Sequence, residues 1–145
     1  MKTTIIAEIG INHNGDINLA QQLIQSAKDS GADAVKFQTF SAEKLVTHST
    51  PKVKYQETNT PNFKSHYDML KNLELSNSDH NFIKKYCEKL NIDFLSTPYD
   101  IDSAKFLLEL NVSFFKTASA DLVDLPLHKY ISSTKMPCAI SVGMS

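Results

Sequence analysis

Short apolar segments alternate with amphipathic segments along the whole chain, and this alternation constrains the fold more than any other feature. The first β-like segment is TIIAEI, the helical pattern DINLAQQLIQSAKDSGA follows, and DAVKFQTF is the second β-like segment. Further β-like segments are IDFLSTPYD, VSFFKTASAD and PCAISVGMS, each separated from the previous one by a helical pattern. Strands that alternate with helices predict a parallel sheet with right-handed crossovers.

The helix boundaries are marked by ordinary start and stop signals. Asp16 is a candidate N-cap for the first helix and Gly31 is its stop. Ser76 or Ser78 is a candidate cap for the helix in SNSDHNFIKKYCEKLN, and Pro126 suits a first helical turn. The apolar stripe predicted for the helix after Ser76 consists of Phe82, Ile83, Tyr86, Cys87 and Leu90.

A polar stretch from Ser41 to Ser65 lacks clear periodicity and contains Pro51 and Pro61. Connections of this length inside a compact domain are usually functional or disordered. We therefore expect a loop that contributes to the selection of a ligand.

Two architectures fit the alternation, an open doubly wound sheet and a (β/α)₈ barrel. The sequence lacks GxGxxG, a Walker A loop, HExxH and GxSxG, which disfavours a dinucleotide-binding sheet. A whole barrel needs about 250 residues, whereas this chain has 145. The prediction is an α/β chain whose residues 1–145 form about the first five units of an incomplete TIM barrel.

Polar residues occur where the predicted strands end, which is where parallel α/β proteins place their sites. Two lysines and several hydroxyls at one edge would form a pocket for a phosphate or a carboxylate. Two carboxylates would face the same cavity and could transfer protons or bind a sugar hydroxyl. The lysines are Lys36 and Lys116, the hydroxyl residues are Ser96, Thr97, Thr117, Ser119 and Ser141, and the acids are Glu8 and Asp121. His13, just after the first strand, is expected to be a hydrogen-bonding scaffold residue.

Composition excludes some partners. Fifteen Lys and Arg against sixteen Asp and Glu give a net charge of -1, so we expect neither nucleic acid nor a membrane as partner. The chain enters its first β-like segment directly after Met1, without a secretory signal pattern. We expect a cytoplasmic protein with two reduced thiols, of which Cys138 is a buried structural one.

Six segments carry a resemblance to a known family. They are IIAEIGINHNGD, GADAVKFQTF, YDMLKNLELS, FLSTPYD, FFKTASAD and AISVGMS. In order and spacing they resemble the sialic acid synthases (N-acetylneuraminate synthases). The motifs do not separate these from legionaminic and pseudaminic acid synthases or from spore-coat polysaccharide proteins.

The resemblance implies a TIM-barrel transferase that condenses phosphoenolpyruvate with an N-acetylated hexosamine, N-acetylmannosamine or its 6-phosphate. The products are a nonulosonic acid and phosphate. It also implies a divalent metal, Mn²⁺ or Mg²⁺, with ligands beyond residue 145. Three further strands and a C-terminal antifreeze-like domain are absent from this sequence, and the full-length protein is expected to be a homodimer.

Residue roles follow from the resemblance where motifs match. Phosphoenolpyruvate would be held by Lys36, Thr97, Lys116, Ser119 and Ser141. Glu8 and Asp121 would be catalytic, and Gln38 and Asn62 would contact the sugar. The chain departs from the family pattern at Ala120, where Gly is common, and at Val142, where Thr is common. We expect the 145 residues alone to be inactive.

Two other interpretations remain open. One is a non-catalytic half-barrel that binds a phosphorylated metabolite or pairs with a second copy. The other is an aldolase that uses Lys116 as a Schiff-base lysine, which would require a lowered pKa at that residue.

Overall fold

A computed structural model describes residues 3–52, 63 and 65–144, so Asn62 lies outside the described residues. The strands are β1 (Ile6–Gly10), β2 (Ala34–Thr39), β3 (Asp93–Pro98), β4 (Phe115–Thr117) and β5 (Cys138–Ile140). The α-helices are α1 (Ile17–Asp29), α2 (Ala42–Leu45), α3 (His66–Leu73), α4 (Asn77–Leu90), α5 (Ile101–Glu109) and α6 (Leu125–Ser133), and a 3₁₀ helix covers Ser119–Val123.

The described strands pair in the order in which they occur along the chain. One sheet has the order β1-β2-β3 and a second pairs β4 with β5, and every one of these pairings is parallel. β4 runs beside β3, which brings the two sheets together. The predicted α/β class with parallel strands is confirmed. The strand register also places Glu8 opposite Lys36 and Gln38 opposite Thr97.

The predicted helix caps are present. The Asp16 side chain accepts hydrogen bonds from the backbone N–H groups of Asn18 and Leu19, which satisfies donors at the start of α1. Ser76 and Asp79 form a reciprocal capping box at the start of α4. Pro126 lies in the first turn of α6, where its missing N–H leaves no hydrogen bond unmade.

The stripe predicted for α4 is wrong at one position. Phe82 is 47% exposed, whereas His80, Ile83 and Cys87 are the buried residues of this helix. Positions 80, 83 and 87 follow the spacing of one helical face, and that face packs against the sheet. The buried face of α4 therefore includes a polar residue, His80, that the predicted stripe left out.

The helices pack against one face of the strands, called the outer face, and the core lies between that face and the helices. Phe37, Phe94 and Phe115 come from β2, β3 and β4, and each is almost fully buried. Ile24 of α1 and Ile83 of α4 belong to the same cluster. Because neighbouring residues of a strand point to opposite faces, Lys36 and Gln38 lie on the inner face of β2.

The prediction of a buried thiol at Cys138 is wrong, because this cysteine is exposed. It lies on β5, whose three residues are all exposed. β5 is paired with β4 on one side, and in the described part of the chain no further strand pairs with its other edge. An apolar groove of about 530 Å³ runs between β5 and α6, lined by residues that include Leu125, Ile131, Met136, Cys138 and Ile140.

None of the helices in the described ranges is long and apolar enough to cross a membrane. The polar stretch that follows β2 contains the short helix α2, which pattern reasoning did not predict. α2 packs against α3 beside the carboxyl end of the sheet.

Candidate functional site

Lys36 lies at the centre of the candidate site. The side chain is nearly buried, and its Nζ lies 2.8 Å from Glu8 Oε2 and 2.8 Å from Thr97 Oγ1. Three neighbouring strands thus contribute one group each, as expected for residues placed side by side in a parallel sheet. Glu8 is half exposed, with 51% of its side chain accessible, so the ion pair opens towards solvent.

Gly10 lies next to the side chains of Glu8 and Gln38. Its φ of +56° belongs to the left-handed region, which favours glycine. A Cβ at this position would lie 3.1 Å from Glu8 Oε1 and 3.6 Å from Gln38 Nε2. The carboxylate of Glu8 and the amide of Gln38 therefore both border Gly10.

Lys116 and Ser141 form a second polar pair. Lys116 Nζ donates to the Ser141 hydroxyl and also to the Thr117 carbonyl, at 3.0 Å for the latter. Burial lowers the pKa of Lys116, the positive charge of Lys36 lowers it further, and Glu8 opposes both. The charges of Lys36 and Glu8 therefore act on the Lys116 ammonium group.

Asp121 lies on the 3₁₀ helix that follows β4, and Ser119 begins the same helix. Within the described ranges, Asp121 Oδ2 is buried and has no hydrogen-bond partner. Burial raises the pKa of Asp121, and the charge of Asp124 raises it further. A carboxylate oxygen kept from water without a donor is suited to receive a hydrogen bond from a ligand or to hold a proton.

Tyr99 is a site residue that pattern reasoning missed. Burial raises its pKa to about 12, and the charges of Asp121 and Glu8 add to the effect. The ring packs edge-on against Phe40. The charges of both carboxylates thus act on the Tyr99 hydroxyl, and the position of Tyr99 directly after the STP motif was the signal that could have identified it.

A buried polar cluster behind the site was also missed. His80, Thr39 and Ser96 are joined by hydrogen bonds on the outer face of β2 and β3. His13 is buried as well, and its Nδ1 accepts a hydrogen bond from the Gly15 N–H at 3.0 Å, which confirms its scaffold role.

Of the predicted site residues, the structure joins Glu8, Lys36, Gln38 and Thr97 in one cluster and Lys116 with Ser141 in a second. Ser119 and Asp121 lie next to these on the 3₁₀ helix, and Asn62 lies outside the described residues. Within the described ranges, no three His, Cys, Asp or Glu side chains converge to hold a metal ion. The described residues thus offer ammonium groups and hydroxyls rather than a metal-binding set.

Fold and site together define an α/β protein with parallel strands that places two ammonium groups, hydroxyls and two carboxylates at its strand ends, an arrangement suited to a small anionic ligand. The chain belongs to the NeuB family, whose model matches residues 23–145.

Similar proteins agree with this assignment. The N,N'-diacetyllegionaminic acid synthase of Legionella pneumophila is 46% identical over 144 residues, which are 99% of this chain and 40% of that protein. Human N-acetylneuraminate-9-phosphate synthase is 34% identical over 140 residues, or 97% of this chain and 39% of that protein.

A solved structure shows the same fold. The N-acetylneuraminic acid synthetase of Leptospira borgpetersenii, crystallised in complex with citrate, superposes with a TM-score of 0.82 at 29% identity. The match covers 100% of this chain and 46% of that one. The chain thus spans less than half the length of these relatives.

Proposed function

We propose that this chain provides the phosphoenolpyruvate-binding part of an enzyme that condenses phosphoenolpyruvate with an N-acetylated hexosamine. The sugar would be N-acetylmannosamine or its 6-phosphate, and the products a nonulosonic acid and phosphate. The observation that carries the proposal is Lys36, which is held between Glu8 and Thr97 and lies near the Lys116–Ser141 pair. Two ammonium groups with adjacent hydroxyls match the charge and the hydrogen-bond acceptors of a phosphate and a carboxylate.

In the proposed reaction, carbon 3 of phosphoenolpyruvate forms a bond to the aldehyde carbon of the open-chain sugar, and the aldehyde oxygen takes up a proton. Water adds to carbon 2, and the carbon–oxygen bond to phosphate breaks. Lys36, Thr97, Lys116, Ser119 and Ser141 would bind phosphoenolpyruvate. Two carboxylates in different surroundings suit acid and base roles, since Glu8 pairs with a lysine whereas burial raises the pKa of Asp121.

Gln38 is proposed to contact the sugar, because its amide and the Glu8 carboxylate both border Gly10 at the strand ends. Asn62 is proposed for the same role from its motif alone. The Mn²⁺ or Mg²⁺ expected from the resemblance finds no ligand set within the described ranges. Its ligands are proposed to lie beyond residue 145.

The sugar is the least constrained part of the proposal. Two relatives named N,N'-diacetyllegionaminic acid synthase are 46% and 44% identical to this chain. The spore-coat protein SpsE of Bacillus subtilis and a pseudaminic acid synthase of Helicobacter pylori are 36% and 28% identical. A sugar with two N-acetyl groups is therefore a serious alternative to N-acetylmannosamine.

We also propose that the five strands are the first five units of an eight-unit TIM barrel. The neighbour order β1-β2-β3 fits both architectures, but β4 lies beside β3, as in a barrel, whereas a doubly wound sheet of order 3-2-1-4-5-6 would place β4 beside β1. Homodimer formation and a cytoplasmic location are likewise proposals for the longer protein. The barrel proposal predicts three more β/α units. Sequencing the coding DNA past the Ser145 codon tests this prediction directly.

Binding tests the anion site without requiring catalysis. Calorimetry should detect phosphoenolpyruvate binding to the chain, and Lys36→Met should weaken it about 10- to 100-fold, because a buried charge-assisted contact is lost. Lys84→Met is the matched control, since Lys84 pairs with Glu88 on the surface of α4. Equal affinity of the Lys36→Met variant and the wild type would place the anion elsewhere.

The Schiff-base alternative has one observation in its favour, which is the lowered pKa of Lys116. Borohydride reduction in the presence of pyruvate would attach pyruvate covalently to Lys116 if it formed an imine. We expect no trapping, and mass spectrometry of the treated protein distinguishes the two outcomes.

A further inference from the structure

Behind the anion site, three buried side chains form a continuous chain of hydrogen bonds. Thr39 Oγ1 lies 2.7 Å from Ser96 Oγ and 2.9 Å from His80 Nε2. His80 Nδ1 lies 3.0 Å from the carbonyl oxygen of Ser76. The residues come from β2, β3 and α4, and each of the three side chains is at most 6% exposed.

The direction of each hydrogen bond follows from the chemistry of its partners. A carbonyl oxygen only accepts, so Nδ1 of His80 carries the proton and donates to Ser76. In the neutral ring Nε2 then accepts, and its donor is the Thr39 hydroxyl. Thr39 has a single hydroxyl proton, so Ser96 donates to the Thr39 oxygen.

The ring of His80 is fixed in this orientation. It packs edge-on against Phe94 of β3 and Phe106 of α5, with ring centroids 6.4 Å and 5.6 Å away. Burial lowers the pKa of His80, and this effect outweighs the carbonyls of Ser76 and Gln38, which favour the protonated ring. A neutral ring with one donor and one acceptor is therefore the form that the site accommodates.

The hydrogen-bonded chain is directly connected to the anion site through the backbone. Thr39 follows Gln38, and Ser96 precedes Thr97. Gln38 also pairs in register with Thr97 across the two strands. Successive side chains of a strand point to opposite faces. Hydrogen bonds that hold Thr39 and Ser96 on the outer face therefore also restrain their neighbours Gln38 and Thr97 on the inner face.

We infer that His80, Thr39 and Ser96 act as positioning residues that hold Gln38, Thr97 and the Lys36–Thr97 contact in place for ligand binding. For the ligand itself this inference rests on the proposed function. The positioning of Gln38 and Thr97 does not rest on the proposed function, so the positioning role and the proposed function can fail separately. His80 touches no ligand in this arrangement and acts through Thr39.

The test compares four versions of the chain: wild type, Thr39→Val, Thr39→Ser and Ile83→Val. Thr39→Val removes the hydroxyl and preserves the side-chain shape, whereas Thr39→Ser keeps the hydroxyl. Ile83→Val is the matched control, because Ile83 is fully buried on α4, the helix that carries His80, and lies outside the hydrogen-bonded chain. Thermal unfolding of each version measures the general loss of stability.

The first measurement is phosphoenolpyruvate affinity by calorimetry. We expect Thr39→Val to weaken binding about tenfold, which corresponds to one misplaced hydrogen-bonding group. Thr39→Ser should restore binding to within about twofold, and Ile83→Val should lower stability without changing affinity. Wild-type affinity in the Thr39→Val variant would overturn the inference.

The second measurement needs no ligand. Proton–nitrogen NMR spectra of the His80 ring should show the proton on Nδ1, and Thr39→Val should shift the signals of Thr97 and of the Lys36 ammonium group. A proton on Nε2, or signals as unchanged as those in Ile83→Val, would overturn the inference. If wild type binds no phosphoenolpyruvate, the proposed function fails, and these spectra still decide whether the positioning network exists.

Discussion

At the scale of single residues, the hydrogen-bonding capacity of Lys36 determines how the site can receive an anion. Two ammonium protons have short contacts, to Glu8 and Thr97. The third contact, to the Phe37 carbonyl at 3.5 Å, is longer than an ordinary hydrogen bond. This donor is the one most readily offered to a ligand.

Gly15 gives a stability prediction at the same scale. Its φ is +75°, and a Cβ there would lie 2.3 Å from the backbone oxygen of Asn72 on α3. We expect Gly15→Ala to lower the free energy of unfolding by about 2–5 kcal/mol, because backbone strain and a steric clash add together. Urea unfolding measures the change.

Gly31→Ala is the control for Gly15→Ala, because it introduces backbone strain without a steric clash. Gly31 has a φ of +84°, but a Cβ there would meet nothing within 4 Å. Gly31→Ala should therefore cost about 1–2 kcal/mol, the strain component alone. Equal losses of unfolding free energy in the two variants would show that the turn between β1 and α1 is not in tight contact with α3.

At the scale of secondary-structure elements, the sequence was informative where a segment has one clear period. α1 and α4 begin at the caps expected from Asp16 and Ser76, and β2 places Val35 and Phe37 in the core while Lys36 and Gln38 face the site. Local hydrogen bonding and side-chain alternation determine these features, so they are visible in a short stretch of sequence.

The elements that were predicted less well depend on distant contacts. The strand predicted over residues 112–121 is limited to Phe115–Thr117, because the chain then turns into the 3₁₀ helix. Short polar side chains such as Ser119 and Asp121 favour such local turns. His80 was missed because its burial depends on Thr39 and Ser96, which are remote in sequence.

The capping box of α4 gives a prediction at this scale. Ser76 Oγ accepts from the Asp79 N–H at 3.1 Å, and Asp79 in return accepts from the Ser76 N–H at 2.9 Å. Ser76→Ala should lower the free energy of unfolding by about 1 kcal/mol. Asn77→Ala, at the exposed next position, should stay within about 0.5 kcal/mol of wild type in the same urea titration. A loss of the same size in both variants would contradict a specific capping role.

At the scale of the whole molecule, the exposed apolar surface is concentrated at the last strand. Leu125, Ile140 and Val142 are each more than half exposed, and they lie at or next to the groove between β5 and α6. Soluble proteins rarely leave such groups uncovered together. The proposed barrel accounts for this surface, because its next β/α unit would pack there.

Thiol labelling tests this proposal on the protein itself. In the 145-residue chain, exposed Cys138 should react with a thiol reagent, though more slowly than a free thiol because partial burial raises its pKa. Buried Cys87, whose pKa burial raises to about 12, should react only on unfolding. A longer product that contains the following units should protect Cys138 as well. Rapid labelling of Cys138 in that longer protein would argue against a barrel that continues over β5.

The sequential order of the strands also has a consequence for synthesis on the ribosome. Within the described residues, β1, β2 and β3 pair with strands already made or next to be made, and all three have been synthesised once Pro98 has emerged. These pairings close the connections from Gly10 to Ala34 and from Thr39 to Asp93, and the entropic cost of closing a loop rises only slowly with its length. The three-stranded sheet that carries Glu8, Lys36 and Thr97 can therefore form while later parts of the polypeptide are still being translated.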